Sequence, residues 1–210
     1  MPRLTERTAQ ERRRRILDAA VECFAARGLH ATTMADICRT AKLSPGAVYC
    51  WYASKEEIID AVARERHERE RALLESALGA TDPGAGLRTF LDTYFDWLAD
   101  PQEQQRRRVG VQVWAESLVS ERFRPSVDEG IGRRGLALEA IRAAQAEGII
   151  TRAADADGIT RVVLAIIQGF ILQQAWEPDI DIESYRRAAD LVVGALTDAP
   201  PTSIRSHRPR

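Results

Sequence analysis

The stretch Thr32–Ile58, TTMADICRTAKLSPGAVYCWYASKEEI, carries three helix starts in close succession, each with its own cap. Thr33 with Asp36 reads as a capping box, in which the first hydroxyl and the later carboxylate satisfy each other's backbone N–H groups. Ser44 is a preferred N-cap, and Pro45 follows at the first helical position, where its missing N–H costs nothing. Ser54 with Glu57 forms a second capping box ahead of a further helix. Two short helices joined by a tight turn, with a third close behind, have the layout of a helix-turn-helix. In that motif the second helix enters the DNA major groove. The spacing predicts this second helix from Pro45 to about Trp51. Val48 and Tyr52, four residues apart, turn inward to meet Ile37, Ala41 and Leu43.

Ahead of this stretch, a helix is expected from about Gln10 to Arg27, with Ile16, Leu17, Ala20, Val21, Cys23 and Phe24 on one face. Gly28 ends it, as the left-handed residue after a helix commonly does. Arg12 to Arg15 precede the apolar stripe and offer phosphate contacts from the flank.

Together these features resemble the TetR/AcrR family of bacterial transcription regulators. The resemblance covers about the first sixty residues. It rests on the basic first helix, Gly28, the Thr33-capped helix and the run Gly46-Ala47-Val48-Tyr49-Cys50-Trp51-Tyr52-Ala53-Ser54-Lys55-Glu56-Glu57-Ile58. Two positions depart from the family pattern: Cys50 stands where His is frequent, and Tyr52 where Phe is usual. The resemblance implies DNA contact at Thr33, Ser44, Ala47, Tyr49 and Lys55. Lys42, Pro45, Gly46 and Cys50 complete the expected interface. Lys42 and Lys55 are the two lysines of the chain. Gly46 and Ala47 are small enough for close approach to base edges, and Ala47 suits a thymine methyl. Lys55 and Thr33 stand at helix starts, where a side chain and the helix dipole both favour a phosphate. Pro45 and Gly46 bring no side-chain donor, so part of the recognition is expected to come from DNA shape.

Charge is distributed to match. The chain has a formal net charge of −1, yet residues 1–55 carry +5 and the remainder −6. A basic head on an acidic body suits phosphate binding at one end. The three cysteines, Cys23, Cys38 and Cys50, lack the spacing of a metal site or a disulfide framework. His30, His67 and His207 are scattered. No Ser/His/Asp or Cys/His grouping or phosphate loop is present, so neither an enzyme nor a cofactor is expected. The N-terminal Met1 to Glu6 has no apolar core, and the longest apolar run, Val162–Leu172, is broken by Gln168 and Gly169. A cytoplasmic protein with no membrane partner is the expectation.

The rest of the chain predicts an all-α body. We expect a DNA-binding head over residues 1–53, a regulatory body over 54–199 and a disordered basic tail over 200–210. A long helix from Lys55 to Leu78 reads as a solvated connector, because Arg64 to Arg71 alternates in charge. Asp82 and Pro83 can start a further helix, with Leu87, Phe90, Leu91, Tyr94, Trp97 and Leu98 on its apolar face, before Asp100-Pro101 stops it. Others are expected at about 105–119 with Val111, Trp114 and Leu118 on one stripe, at 125–147, 155–176 and 182–196. The helix at 155–176 is apolar over so broad a face that burial on more than one side is expected.

One short helix reads few base pairs, so a two-fold dimer on a palindromic operator is the expected remedy. By the resemblance, dimer contacts fall on the helices near 124–147 and 155–176, and Gly169 fits close approach there. The resemblance also implies a small-molecule effector of unknown identity; the body's aromatics Phe90, Tyr94, Trp97 and Trp114 can supply an apolar pocket for it, with Gln112, Glu116 and Gln168 as polar anchors. A homodimeric repressor released by such a ligand is the leading reading. A DNA-binding regulator governed by abundance or by a protein partner is the alternative.

Overall fold

A computed structural model describes residues 6–79, 83–132 and 134–198. Among them there is no strand, and ten helices follow one another: α1 Glu6–Ala31, α2 Met34–Ala41, α3 Pro45–Tyr49, α4 Lys55–Leu78, α5 Pro83–Ala99, α6 Pro101–Glu116, α7 Arg124–Gly132, α8 Arg134–Ala146, α9 Ala156–Trp176 and α10 Ile182–Asp198. The expected tail at 200–210 lies outside the described residues. The chain divides into two compact units, residues 1–69 with 100–130, and residues 70–99 with 131–210.

The first unit is built on α1. Its Ile16, Leu17, Ala20 and Phe24 are fully buried against Ile37, Val48 and Ile58, with Val109 and Val113 of α6 in the same core. The helix starts before Gln10, and its regular geometry breaks at Gly28 (φ 83°, ψ 166°), a conformation that favours glycine. Cys23 and Cys38 are buried in this core, while Cys50 is exposed. The unit extends past residue 53, because α6 packs along α1.

Two expectations are corrected here. The middle of α4 is not a solvated rod: Glu65 accepts a hydrogen bond from Arg106 (3.1 Å), Arg69 pairs with Glu103 (2.5 Å), and His67 is buried. Charge alternation along one helix looks solvated until a facing helix supplies the counter-charges. On α6 the buried valines are Val109 and Val113, with Ser117 buried just past its end, whereas Leu118 is 82% exposed. The helix begins earlier, with Pro101 at its first position, and stops at Glu116. Leu118 and Val119 therefore fall in the following turn.

In the second unit, α8 packs against α9 and α5, and α10 against α5 and α9. Phe90, Leu91, Tyr94, Phe95 and Leu98 of α5 are buried, as are Ile159, Val163, Ile167, Phe170 and Ile171 of α9. Arg186 of α10 fastens the helices by donating to Asp92 and Asp96 of α5, each at 2.9 Å. The expected helix at 125–147 is two helices, α7 and α8, with residue 133 between them outside the described set. Gly148 (φ 75°) closes α8 as its sequence position implies. Asp155 caps α9 by accepting the Gly158 N–H at 2.8 Å. Among the described residues α9 alone is long and apolar enough to cross a membrane, yet its buried face belongs to this core. Gly169 faces Tyr185 of α10: a Cβ there would meet the Tyr185 hydroxyl oxygen at 3.6 Å. That hydroxyl donates to the Ile166 carbonyl at 2.7 Å, and burial raises its pKa.

Candidate nucleic-acid interface

The helix-turn-helix is held by side-chain caps at its joints, and the first is reciprocal. Thr33 Oγ accepts the Asp36 N–H (3.2 Å), while the Asp36 carboxylate takes both the Thr33 N–H (3.0 Å) and the Thr33 O–H (2.7 Å). The Thr33 hydroxyl and then its backbone N–H hold the Asp36 carboxyl well below the usual carboxylate range; Arg39 and Arg27 add to this, against the opposing effect of burial. Asp36 thus gathers the start of α2, Arg27 at the end of α1 and Arg39 one turn on.

The turn itself is made by Lys42 in the left-handed conformation (φ 53°). Its carbonyl accepts from Arg15 at 3.2 Å, which ties the turn to α1. Ser44 then starts α3, accepting the Ala47 N–H at 3.3 Å and keeping its own O–H to donate outward. Val48 is fully buried, and Tyr52 is 5% exposed with its hydroxyl accepting from Arg13 Nε at 3.1 Å. These two inward residues set the rotation of α3, so its opposite edge faces out. On that edge Ser44, Pro45, Gly46, Tyr49 and Cys50 are exposed, with Lys42 beside them and Ala47 half-buried. A Cβ added at Gly46 would meet nothing within 4 Å. The helix ends at Tyr49, earlier than expected, with Cys50 as its C-cap. Ser54 accepts the Glu57 N–H (3.3 Å), but the Glu57 carboxylate reaches past Ser54 to the Ala53 N–H (2.8 Å), so this box closes one residue early.

Two expected contact residues are engaged within the protein. Lys55 Nζ donates to the carbonyls of Leu29 (2.8 Å), His30 (3.2 Å) and Thr32 (3.1 Å), which takes up the three donors of an ammonium. Lys55 closes the end of α1 where a phosphate contact was expected. Thr33 likewise commits both of its donors to Asp36. Both residues position the motif through these bonds.

The seven residues expected to hold an effector are not brought together within either unit. Phe90, Tyr94 and Trp97 sit on α5, with the Tyr94 ring in contact with each of the other two, and Gln168 is exposed on α9. On α6, Gln112 Oε1 accepts the Leu29 N–H (3.0 Å), its Nε2 donates to the Phe24 carbonyl (3.2 Å), and Glu116 pairs with His30 (2.7 Å). These polar groups fasten α6 to the end of α1. Trp114 does border a small cleft between α4, α6 and the start of α7 in the first unit. The other residues of that cleft escaped sequence reading because Arg66 and His67 lie in the charge-alternating run. The available signal was Gly110, a glycine inside a helical pattern between Val109 and Val113, which marks close packing.

Residues 16–62 match the family model of bacterial regulatory proteins of the tetR family, and residues 83–198 match the C-terminal model of BetI-type transcriptional repressors. The HTH-type transcriptional regulator UidR of Escherichia coli K12 is 26% identical over 193 residues, 89% of this chain and 90% of UidR. The solved structure of Salmonella enterica GusR superposes with a TM-score of 0.72 at 24% identity, over 94% of this chain and 100% of that one. The structure of a SmeT–triclosan complex superposes with a TM-score of 0.75 at 24% identity, over 96% and 100%. With the capped helix-turn-helix and the all-helical body, these matches place the chain in the TetR family of DNA-binding transcriptional regulators.

Proposed function

We propose that the chain is a cytoplasmic homodimeric repressor that occupies a palindromic operator and leaves it when a small molecule binds. Residues 1–53 act as the DNA-binding head and 54–199 as the regulatory and dimerising body. The observation that carries this reading is the outward edge of α3, with Ser44, Pro45, Gly46, Tyr49 and Cys50 exposed over a fully buried Val48. The Ser44 hydroxyl and Lys42 suit phosphates, Tyr49 and Ala47 suit base edges, and Gly46 admits the duplex closely.

Dimerisation is supported by large apolar side chains left exposed on the second unit: Val162 and Trp176 on α9, Leu191 and Val192 on α10. They favour α9 with α10 as the interface, in place of the span 124–147. An exposed apolar face of this kind marks an association surface, and two-fold pairing matches a palindrome. A small-molecule input is supported by SmeT, of the same fold, whose structure is a complex with triclosan.

Selection of bound DNA from a random pool by the purified, ligand-free protein tests the reading. An enriched inverted repeat supports dimeric, sequence-specific binding. A folded dimer that enriches no sequence overturns it.

A further inference from the structure

We propose that Gln112 is a positioning residue for operator binding: its side-chain amide bridges the break in α1 and sets how the helix-turn-helix sits against α6. The break is at Gly28, whose torsions (φ 83°, ψ 166°) are not helical. A helix that stops leaves backbone groups without their intrahelical partners. Gln112 meets one on each side of the stop. Its Nε2 donates to the Phe24 carbonyl, in the last turn before Gly28 (3.2 Å), and its Oε1 accepts the Leu29 N–H just after it (3.0 Å). A primary amide holds a donor and an acceptor side by side, so it can substitute for backbone on both flanks of the break. The amide also lies against Gly28 itself, since a Cβ there would come 3.7 Å from Oε1.

Other backbone groups around the break are met from nearer in the chain. The Thr32 hydroxyl donates toward the carbonyls of Cys23 (3.2 Å) and Gly28 (2.8 Å), and Lys55 takes those of Leu29, His30 and Thr32. Gln112 reaches in from α6, and about one turn further along that helix Glu116 pairs with His30 (2.7 Å).

The joint is placed to act on the DNA-binding motif. Residues 29–33 lead into α2, which Thr33 caps, and Leu29 and Thr32 are buried, so the connection is not a slack loop. Val109 and Val113 of α6 share the core of α1, but apolar packing has no direction of its own. The two bonds of Gln112 do, because a hydrogen bond weakens steeply once bent. They therefore fix the register of α6 along α1, where valine contacts alone would let it slide.

Two substitutions test the role. Gln112→Met keeps an unbranched side chain and loses both bonds. Gln112→Glu keeps an acceptor for the Leu29 N–H, and donates to the Phe24 carbonyl only when its carboxyl is protonated. Gln112 is half-buried, so both variants are expected to fold, with circular dichroism as the check. On an operator selected as above, each is expected to bind at least tenfold more weakly than the parent at pH 8, well below its melting temperature. A glutamate titrates near about 4.3, so on going from pH 8 to pH 5 Gln112→Glu should regain at least twofold relative to the parent. Gln112→Met should regain none. His30, Glu116 and Lys55 surround the joint in parent and variants alike, so their own titration cancels in that ratio. A loss under tenfold in the folded variants, or a Gln112→Glu ratio that stays flat with pH, overturns the proposal. Should Gln112→Met fold poorly, the Gln112→Glu ratio decides alone.

These readouts rest on the operator-binding reading above, and hydrogen exchange does not. Exchange over residues 25–33 is expected to be faster in Gln112→Met and in Gln112→Glu at pH 8 than in the parent, with α9 of the second unit unchanged. Equal exchange over 25–33 overturns the positioning role. Faster exchange there, in a parent protein that selects no operator, supports the joint and places the failure in the operator reading.

Discussion

Lys55 Nζ lies 2.8 Å from the carbonyl oxygen of Leu29, so the first residue of α4 holds the last turn of α1. With the His30 and Thr32 carbonyls on the same ammonium, this joint fixes the angle at which the helix-turn-helix leaves the rest of its unit. Hydrogen bonds to a charged group are worth about 1.5–3 kcal/mol. Lys55→Met is therefore expected to lower the melting temperature by several degrees in a scanning calorimeter. Its operator affinity, measured well below that temperature, should fall less than that of Tyr49→Ala. An unchanged melting temperature together with lost DNA binding would return Lys55 to the phosphate role.

Tyr49 and its neighbour Val48 should separate binding from folding. Tyr49 is 51% exposed and Val48 fully buried. Tyr49→Ala is expected to weaken operator binding at least tenfold, about 1.4 kcal/mol, with little change in melting temperature. Val48→Ala should do the reverse, with a stability loss on the order of 2 kcal/mol from the cavity it leaves. Fluorescence anisotropy with a labelled operator, run beside thermal melts, reads both. Equal effects of the two substitutions on both readouts would refute the orientation of α3.

Asp36 makes the motif acid-sensitive. Its folded pKa is depressed, first by the Thr33 hydroxyl. Its contribution to stability is thus fully present above the unfolded value of about 3.9 and is lost as pH falls toward the folded value. Asp36→Asn should be less stable than the parent at neutral pH, and the gap should narrow as the pH is taken below about 4. Chemical denaturation at a series of pH values checks this. A gap that stays constant into acid would show that the carboxylate charge contributes nothing.

The dimer face is tested by charge. Leu191 is 78% exposed on α10, so Leu191→Glu should leave the fold intact. Sedimentation is expected to show a monomer, and binding to a full palindrome should drop with it. A variant that still sediments as a dimer would move the interface elsewhere.

The local grammar of the head was legible in the sequence. Thr33 with Asp36, Ser44 with Pro45 and the break at Gly28 each depend on residues within a few positions of one another, and all three stand as read. What could not be seen was partnership across the chain. Gln112 and Glu116 look like pocket anchors on α6, and only the fold brings Leu29 and His30, more than eighty residues away, within hydrogen-bond reach. Lys55 has the same difficulty, since a lysine at a helix start suits a phosphate as well as it suits carbonyls 23 to 26 residues back. The arginines of α4 looked solvated because their acidic partners, such as Glu103, stand on another helix.

The distribution of the three thiols has a practical consequence. Cys23 and Cys38 are enclosed in the core, and Cys50 alone is exposed, at the end of the helix proposed to face DNA. The native protein thus carries its own footprinting reagent target. Alkylation should modify one cysteine per chain, and a bound operator should slow that modification, reporting occupancy with no engineered label.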